Sequence, residues 1–284
     1  MAPSRIVRQH PAHRDDIGDL VTRRPVPGPD VEQLDPFLFL NHHGPQTYPA
    51  NNHGLPFGPH PHRGFETVTF ILSGELSHLD SGGHESIITA GGIQWMTAGS
   101  GLVHAELSPA SFKRQGGHLE ILQLWVNLPG RLKMVPPAYV GLQGDQIPVI
   151  EHDGVSVSLV SGEFSGHKGP VESLTGVSLM TVKLQAGATV VLPTPPGHSV
   201  FFYPVEGDLG IDGEAVKARH LIELGEGADS ISVHATSSAV LLYGHAAPLG
   251  EPVVSHGPFV MNTREEIVQA IHDYQKGLFG SIPS

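Results

Sequence analysis

Two short pairs carry most of the chemistry legible in this chain: His60-Pro61-His62 and, some forty residues on, His104-Ala105-Glu106. In each pair a single residue intervenes. On a β-strand, residues i and i+2 project from the same face, so each pair can aim both side chains at one point. Three imidazoles and one carboxylate around a point suit a divalent cation such as Fe(II), Mn(II), Ni(II), Cu(II) or Zn(II). On an octahedral ion, four such ligands leave two positions for water, oxygen or a chelating substrate. A ligating imidazole also needs a partner for its second ring nitrogen. Gln94, Gln123 and Glu66 are candidates for that supporting role by position.

Strands must present these pairs, and the composition favours strands. The chain has 284 residues, with 35 Gly and 25 Pro, and only 15% of its residues are charged. That mixture suits short strands joined by tight turns, an all-β fold. Candidate strands in the first half are Thr67–Leu72, Ser86–Thr89, Ile93–Thr97 and Ile121–Val126. In the second half they are Val155–Val160, Val177–Leu184, Thr189–Leu192, Ser199–Tyr203, Ile231–His234 and Ala239–Tyr243. One helix is predicted, over 263–277. Thr263-Arg264-Glu265-Glu266 fits a capping box, Ile267, Ile271 and Tyr274 share a face, and Gly277 is a stop.

Cysteine is absent, which excludes disulfides, thiolate metal sites and a cysteine nucleophile. The net charge of −12 disfavours binding to a nucleic-acid backbone. The first residues lack the apolar core of a signal peptide, and no apolar run approaches the roughly 20 residues that span a bilayer. The expectation is a cytoplasmic protein without a membrane partner.

An internal repeat is visible. Shifting the sequence by 133 residues sets Phe70 on Tyr203, Gly74 on Gly207, Leu76 on Leu209 and Gly92 on Gly225. This suggests a duplicated barrel or sandwich. At that shift His60, His62, His104 and Glu106 fall on Pro193, Pro195, Ser237 and Ala239, so only the first copy keeps the ligands. Pro129-Gly130 and Pro136-Pro137 mark the expected boundary, giving domains 1–135 and 136–284.

The wider spacing is specific. Gly54, His60, His62, Glu66 and Gly74 follow the first motif of the cupin superfamily, and Gly101 with His104 follows the core of the second. The blocks His60-Pro61-His62-Arg63-Gly64-Phe65-Glu66 and Gln94-Trp95-Met96-Thr97-Ala98-Gly99-Ser100-Gly101-Leu102-Val103-His104-Ala105-Glu106 resemble signatures of the pirin family. Leu122-Gln123-Leu124-Trp125-Val126-Asn127 and Asp35-Pro36-Phe37-Leu38 extend the likeness over nearly the whole chain. The resemblance implies a bicupin: two jelly-roll β-barrels face to face, a short C-terminal helix, and one divalent metal in the N-terminal barrel. Its implied ligands are His60, His62, His104 and Glu106. An ordinary cupin would take its carboxylate from the first motif, here Glu66; a pirin takes Glu106 and leaves Glu66 nearby. Iron(II) is the first choice of metal, with Mn, Ni, Cu or Zn as alternatives. One departure is Asn41-His42-His43-Gly44-Pro45, where many pirins are acidic; the simpler reading makes His42 and His43 loop residues.

Pirin-like proteins include quercetin 2,3-dioxygenases, which open the flavonol heterocycle with O2 and release carbon monoxide. By that resemblance the expected partners are O2 and a flavonol-like aromatic substrate, with Glu106 or Glu66 as general base. Val68, Phe70, Trp95, Met96 and Trp125 line a pocket for it or form ordinary core. The alternative is a metal- or redox-responsive module acting on a transcription regulator or a metabolic enzyme. The family also points to a monomer.

Overall fold

The β-branched and aromatic run around Thr67 becomes the Phe65–Ser73 strand, third of seven in one sheet. The structure is a computed structural model in which residues 5–282 are described. The sheet runs in the order Ala138–Leu142, Ile93–Thr97, Phe65–Ser73, Gly117–Asn127, Phe37–Tyr48, Thr22–Val26 and His13–Arg14. A four-stranded sheet completes this cupin barrel, in the order Phe57–His62, Leu102–Leu107, Glu75–Asp80 and Glu85–Thr89. Both sequence pairs therefore lie on adjacent antiparallel strands, with His104 opposite His60.

The expected cut after residue 135 does not describe the chain. Beyond Pro136-Pro137, the Ala138–Leu142 strand returns to pair with Ile93–Thr97, so the first barrel continues to Gln146. Residues 249–282, including the helix Arg264–Gln275, also belong to that body. Conversely, the Ile6–Pro11 strand pairs with His220–Leu224 in the second body. Strand pairing, rather than proline content, decides membership. The helix itself forms as predicted: Thr263 accepts from the Glu266 amide while the Glu266 carboxylate accepts from the Thr263 amide.

The second body repeats the architecture. Its seven-stranded sheet runs Ile6–Pro11, His220–Leu224, Ser199–Glu206, Ala239–Ala246, Ser178–Leu184, Val155–Ser161 and Val149–His152. Its four-stranded sheet runs Thr189–Pro193, Ser230–Ala235, Leu209–Ile211 and Glu214–Val216. The repeat read from sequence is real, but a constant shift misplaces part of it. The connection between Leu209–Ile211 and Ser230–Ala235 is shorter than its counterpart between Glu75–Asp80 and Leu102–Leu107. Glu106 pairs with His78 in the first barrel, and Val233 pairs with Ile211 in the second. His104 pairs with His60, and Ile231 with Leu192. The counterparts of His60, His104 and Glu106 are thus Leu192, Ile231 and Val233, not Pro193, Ser237 and Ala239. All three lie in one apolar core cluster that fills the second barrel.

Behind His62 the chain turns at Gly64, whose φ is +89°. A β-carbon there would stand 2.0 Å from the Val260 carbonyl oxygen. The buried Lys133 ammonium closes this corner, donating to Gly64 O (2.8 Å), Asn127 Oδ1 (2.6 Å) and Val260 O (3.1 Å). Burial pulls its pKa down to about 8. Arg63 adds a hydrogen bond to Ser100 O and an ion pair with Asp273 of the helix, both at 2.8 Å. Gly64→Ala should therefore lower stability by more than about 2 kcal/mol through backbone strain and collision. Gly58→Ala, where the added carbon meets nothing within 4 Å, should change it by less than about 0.5 kcal/mol. Denaturant unfolding of the two variants measures both.

Candidate metal centre

His60, His62 and His104 converge as the i,i+2 geometry requires. Their donor nitrogens lie within 4.8 Å of one another, the only such group of three among the described residues. His60 Nε2 and His104 Nε2 stand 2.9 Å apart. Two nitrogens on adjacent octahedral positions of an ion, each bound at about 2.1 Å, are about 3.0 Å apart. The second ring nitrogens are placed to match. His60 Nδ1 lies 2.8 Å from Gly58 O, and His62 Nδ1 lies 3.3 Å from Pro258 O. A carbonyl oxygen only accepts, so the Nδ1 groups donate and the neutral rings carry their lone pairs on Nε2. Burial, with His60 beside it, lowers the His62 pKa to about 3. Burial, then His62, His60 and His78, holds His104 well below the usual histidine range. Both rings are neutral at pH 7.

Glu106 shares the strand face of His104 but falls outside the triad's cluster. Its Oε1 accepts from Thr69 Oγ1 at 3.1 Å and its Oε2 from Gln123 Nε2 at 2.5 Å. Gln123 thus supports the carboxylate, not an imidazole. Gln94, expected in a similar role, has its buried Nε2 without a hydrogen-bond partner among the described residues.

Glu66 is not brought to the triad. Thr69, which holds Glu106, and Glu66 are three residues apart on one regular strand, so they face opposite ways. Thr97 Oγ1 donates to Glu66 Oε1 at 2.6 Å, and burial raises the Glu66 pKa. Val68, Phe70 and Trp95 share its side of the sheet and are core. Trp125 lies on the site's side: its ring is 5.4 Å from His62 and stacks on Phe39 at 4.6 Å. Met96, opposite Thr67, belongs to that side as well.

Two further residues escaped the sequence reading. His78 and Asp80 form a third i,i+2 pair on the next strand, opposite Glu106 and His104. Asp80 Oδ2 lies 3.0 Å from His78 Nε2, and the His78 ring stacks on Tyr139 at 4.0 Å and approaches His104 at 5.5 Å. Alternation of Leu76, His78 and Asp80 was the available signal, obscured by the number of histidines nearby. His42 and His43 were also misplaced. They are buried within the Phe37–Tyr48 strand, not in a loop. His42 pairs with Glu120 at 2.8 Å, and His43 Nδ1 meets Thr22 Oγ1 at 2.9 Å.

Two barrels of the same seven-plus-four strand order, the first holding a histidine triad, define a bicupin. Residues 19–126 match the family model described as pirin, and residues 179–280 match that of the pirin C-terminal cupin domain. A pirin-like protein of Solanum lycopersicum is 41% identical over 286 residues, covering 98% of this chain and 94% of the relative. Pirin of Homo sapiens is 41% identical over 267 residues, covering 91% and 87%. The crystal structure of a quercetin 2,3-dioxygenase from Acinetobacter baumannii aligns with a TM-score of 0.93 at 33% identity, covering 99% of this chain and 100% of that one. The chain belongs to the pirin family. No helix among the described residues is long and apolar enough to cross a membrane.

The buried His43 gives a pH test of this interior. Burial, then His42 and Arg24, lowers its pKa from 6.5 to about 3. Between those values the unfolded chain binds the proton and the folded chain does not. This contribution to stability is complete above pH 6.5 and is lost as pH falls towards 3. Urea unfolding at pH 7 and pH 4.5 should show wild type losing more stability than His43→Phe over that interval.

Proposed function

We propose that this protein is a metal-dependent dioxygenase that cleaves a flavonol-type substrate with O2, holding one divalent ion, Fe(II) foremost, through His60, His62, His104 and Glu106. The observation that carries this reading is the histidine triad, with donor nitrogens within 4.8 Å of one another, His60 Nε2 and His104 Nε2 2.9 Å apart, and the Nδ1 atoms of His60 and His62 tied to backbone carbonyls. The likeness to a protein titled quercetin 2,3-dioxygenase supports the substrate class. When bound, the cation would favour the ionised form of a substrate hydroxyl and offer open positions beside it.

The protein's own groups supply the rest. Glu106 is the carboxylate on the triad's face, and it takes the hydroxyl proton on one oxygen. Thr69 and Gln123 hold it in place meanwhile. Glu66, whose pKa burial raises and whose side chain is turned to the other side of its strand, does not serve as base. Phe39 and Trp125 provide a flat wall next to His62 for an aromatic ring. The buried Trp125 Nε1 has no hydrogen-bond partner among the described residues, which leaves an N–H to donate to a substrate oxygen. Arg24, 4.7 Å above the Phe39 ring, braces the outer side of this wall.

The test is anaerobic loading with Fe(II), Mn(II), Ni(II) or Cu(II) in turn, then quercetin and air, following flavonol absorbance and carbon monoxide. His104→Ala should lose both metal and turnover. Glu106→Gln should lower kcat by about 10²–10⁴-fold, whereas Glu66→Gln should retain metal and rate. Gln123→Leu should weaken metal binding about 10–100-fold. Inertness with every metal would overturn the enzymatic reading, and metal loss in Glu66→Gln with retention in Glu106→Gln would overturn the ligand set. Inertness joined to metal-dependent capture of a protein would favour the regulatory module.

A further inference from the structure

Among its described residues the second barrel has no triad, yet it carries a pair of adjacent imidazoles. Strand register identifies their counterparts in the first barrel. Thr67 pairs with Trp125 there, and Val200 pairs with His245 here. Phe65 and His198 each lie two residues before those strand positions. His198 and His245 therefore stand where Phe65 and Trp125 stand in the first barrel, whose rings are 4.4 Å apart. An apolar ring pair has been exchanged for two nitrogen donors.

The geometry of that pair suits coordination. His198 Nδ1 and His245 Nδ1 are 3.1 Å apart, with ring planes at 48°. Nitrogens bound at about 2.1 Å to one ion stand about 3.0–3.4 Å apart in octahedral or tetrahedral arrangements. Burial, then His198, lowers the His245 pKa to about 4, so this ring is neutral at pH 7. His198 opens onto a cavity of about 490 Å³, also lined by Arg5, Thr194, Ser199, Glu223 and Glu226. The Arg5 guanidinium is tied back, donating to Thr194 Oγ1 (3.2 Å) and to the carbonyls of Ala228 (2.9 Å) and Gly225 (3.2 Å).

We propose that His198 and His245 bind a divalent transition-metal ion, such as Zn(II), Ni(II) or Cu(II), at a second site distinct from the triad. Two protein ligands make this the weaker site. Water or a small chelating anion in the cavity fills the remaining positions.

The test uses the full chain carrying His60→Ala and His104→Ala, which disables the triad. Titration with NiCl2 by calorimetry should show one remaining ion per chain with micromolar affinity. His198→Gln and His245→Gln, made separately, should each weaken it at least tenfold. Nitrogen-15 NMR should show both Nδ1 signals perturbed by Ni(II). His198 precedes its strand at a turn, so His198→Gln, checked by thermal melting, decides the matter even if His245→Gln does not fold. Unchanged affinity in His198→Gln, or no binding at about 1 mM Ni(II), would overturn the proposal. So would an imidazole–imidazole hydrogen bond that persists at saturating metal.

Discussion

Packing several imidazoles at one point inside a barrel is the constraint on which the rest of this structure depends. Each ring must be uncharged and must turn the same nitrogen inward. Burial keeps His62 and His104 neutral. Backbone carbonyls of Gly58 and Pro258 orient His60 and His62. The second of these carbonyls comes from a segment nearly two hundred residues away in sequence. The Lys133 ammonium, bonded to Gly64 O and Val260 O, and the backbone bonds of Arg63 with Pro258 and Val260 hold that segment against the strand end that carries His62.

The two barrels show how one topology accommodates different interiors. Strand order and register are shared, so equivalent positions are defined by pairing. In the first barrel, inward positions hold His60, His104 and Glu106; in the second, the same positions hold Leu192, Ile231 and Val233. An aliphatic core needs no hydrogen-bond partners and contributes burial directly. A polar interior must satisfy each group, and Thr69, Gln123 and Asp80 do so for their neighbours. At these positions one copy holds an aliphatic core and the other a hydrogen-bonded polar cluster.

The carboxylate choice shows where sequence reasoning reaches its limit. Glu66 and Glu106 both lie at plausible spacings; the family resemblance favours Glu106, and strand parity places Glu106, not Glu66, on the face of His104. Glu66 and Thr69 occupy opposite faces of a regular strand, so the residue that meets Thr69 cannot be Glu66. The same parity sorts Trp125 to the site and Trp95 to the core. The simpler reading of His42 and His43 as loop residues fails because the strand runs on through Gly44-Pro45 to Tyr48.

The sequence by itself determined the strand-rich character, the duplication, the triad and the capped final helix, because these rest on short-range periodicity and fixed spacing. Tertiary structure decided the rest. It set which carboxylate faces the triad, it assigned Ile6–Pro11 to the second body and residues 249–282 to the first, and it brought Pro258 and His78 to the site. Those outcomes depend on long-range strand pairing, in which a one-residue change of register reverses every side chain, and no local pattern encodes the partner.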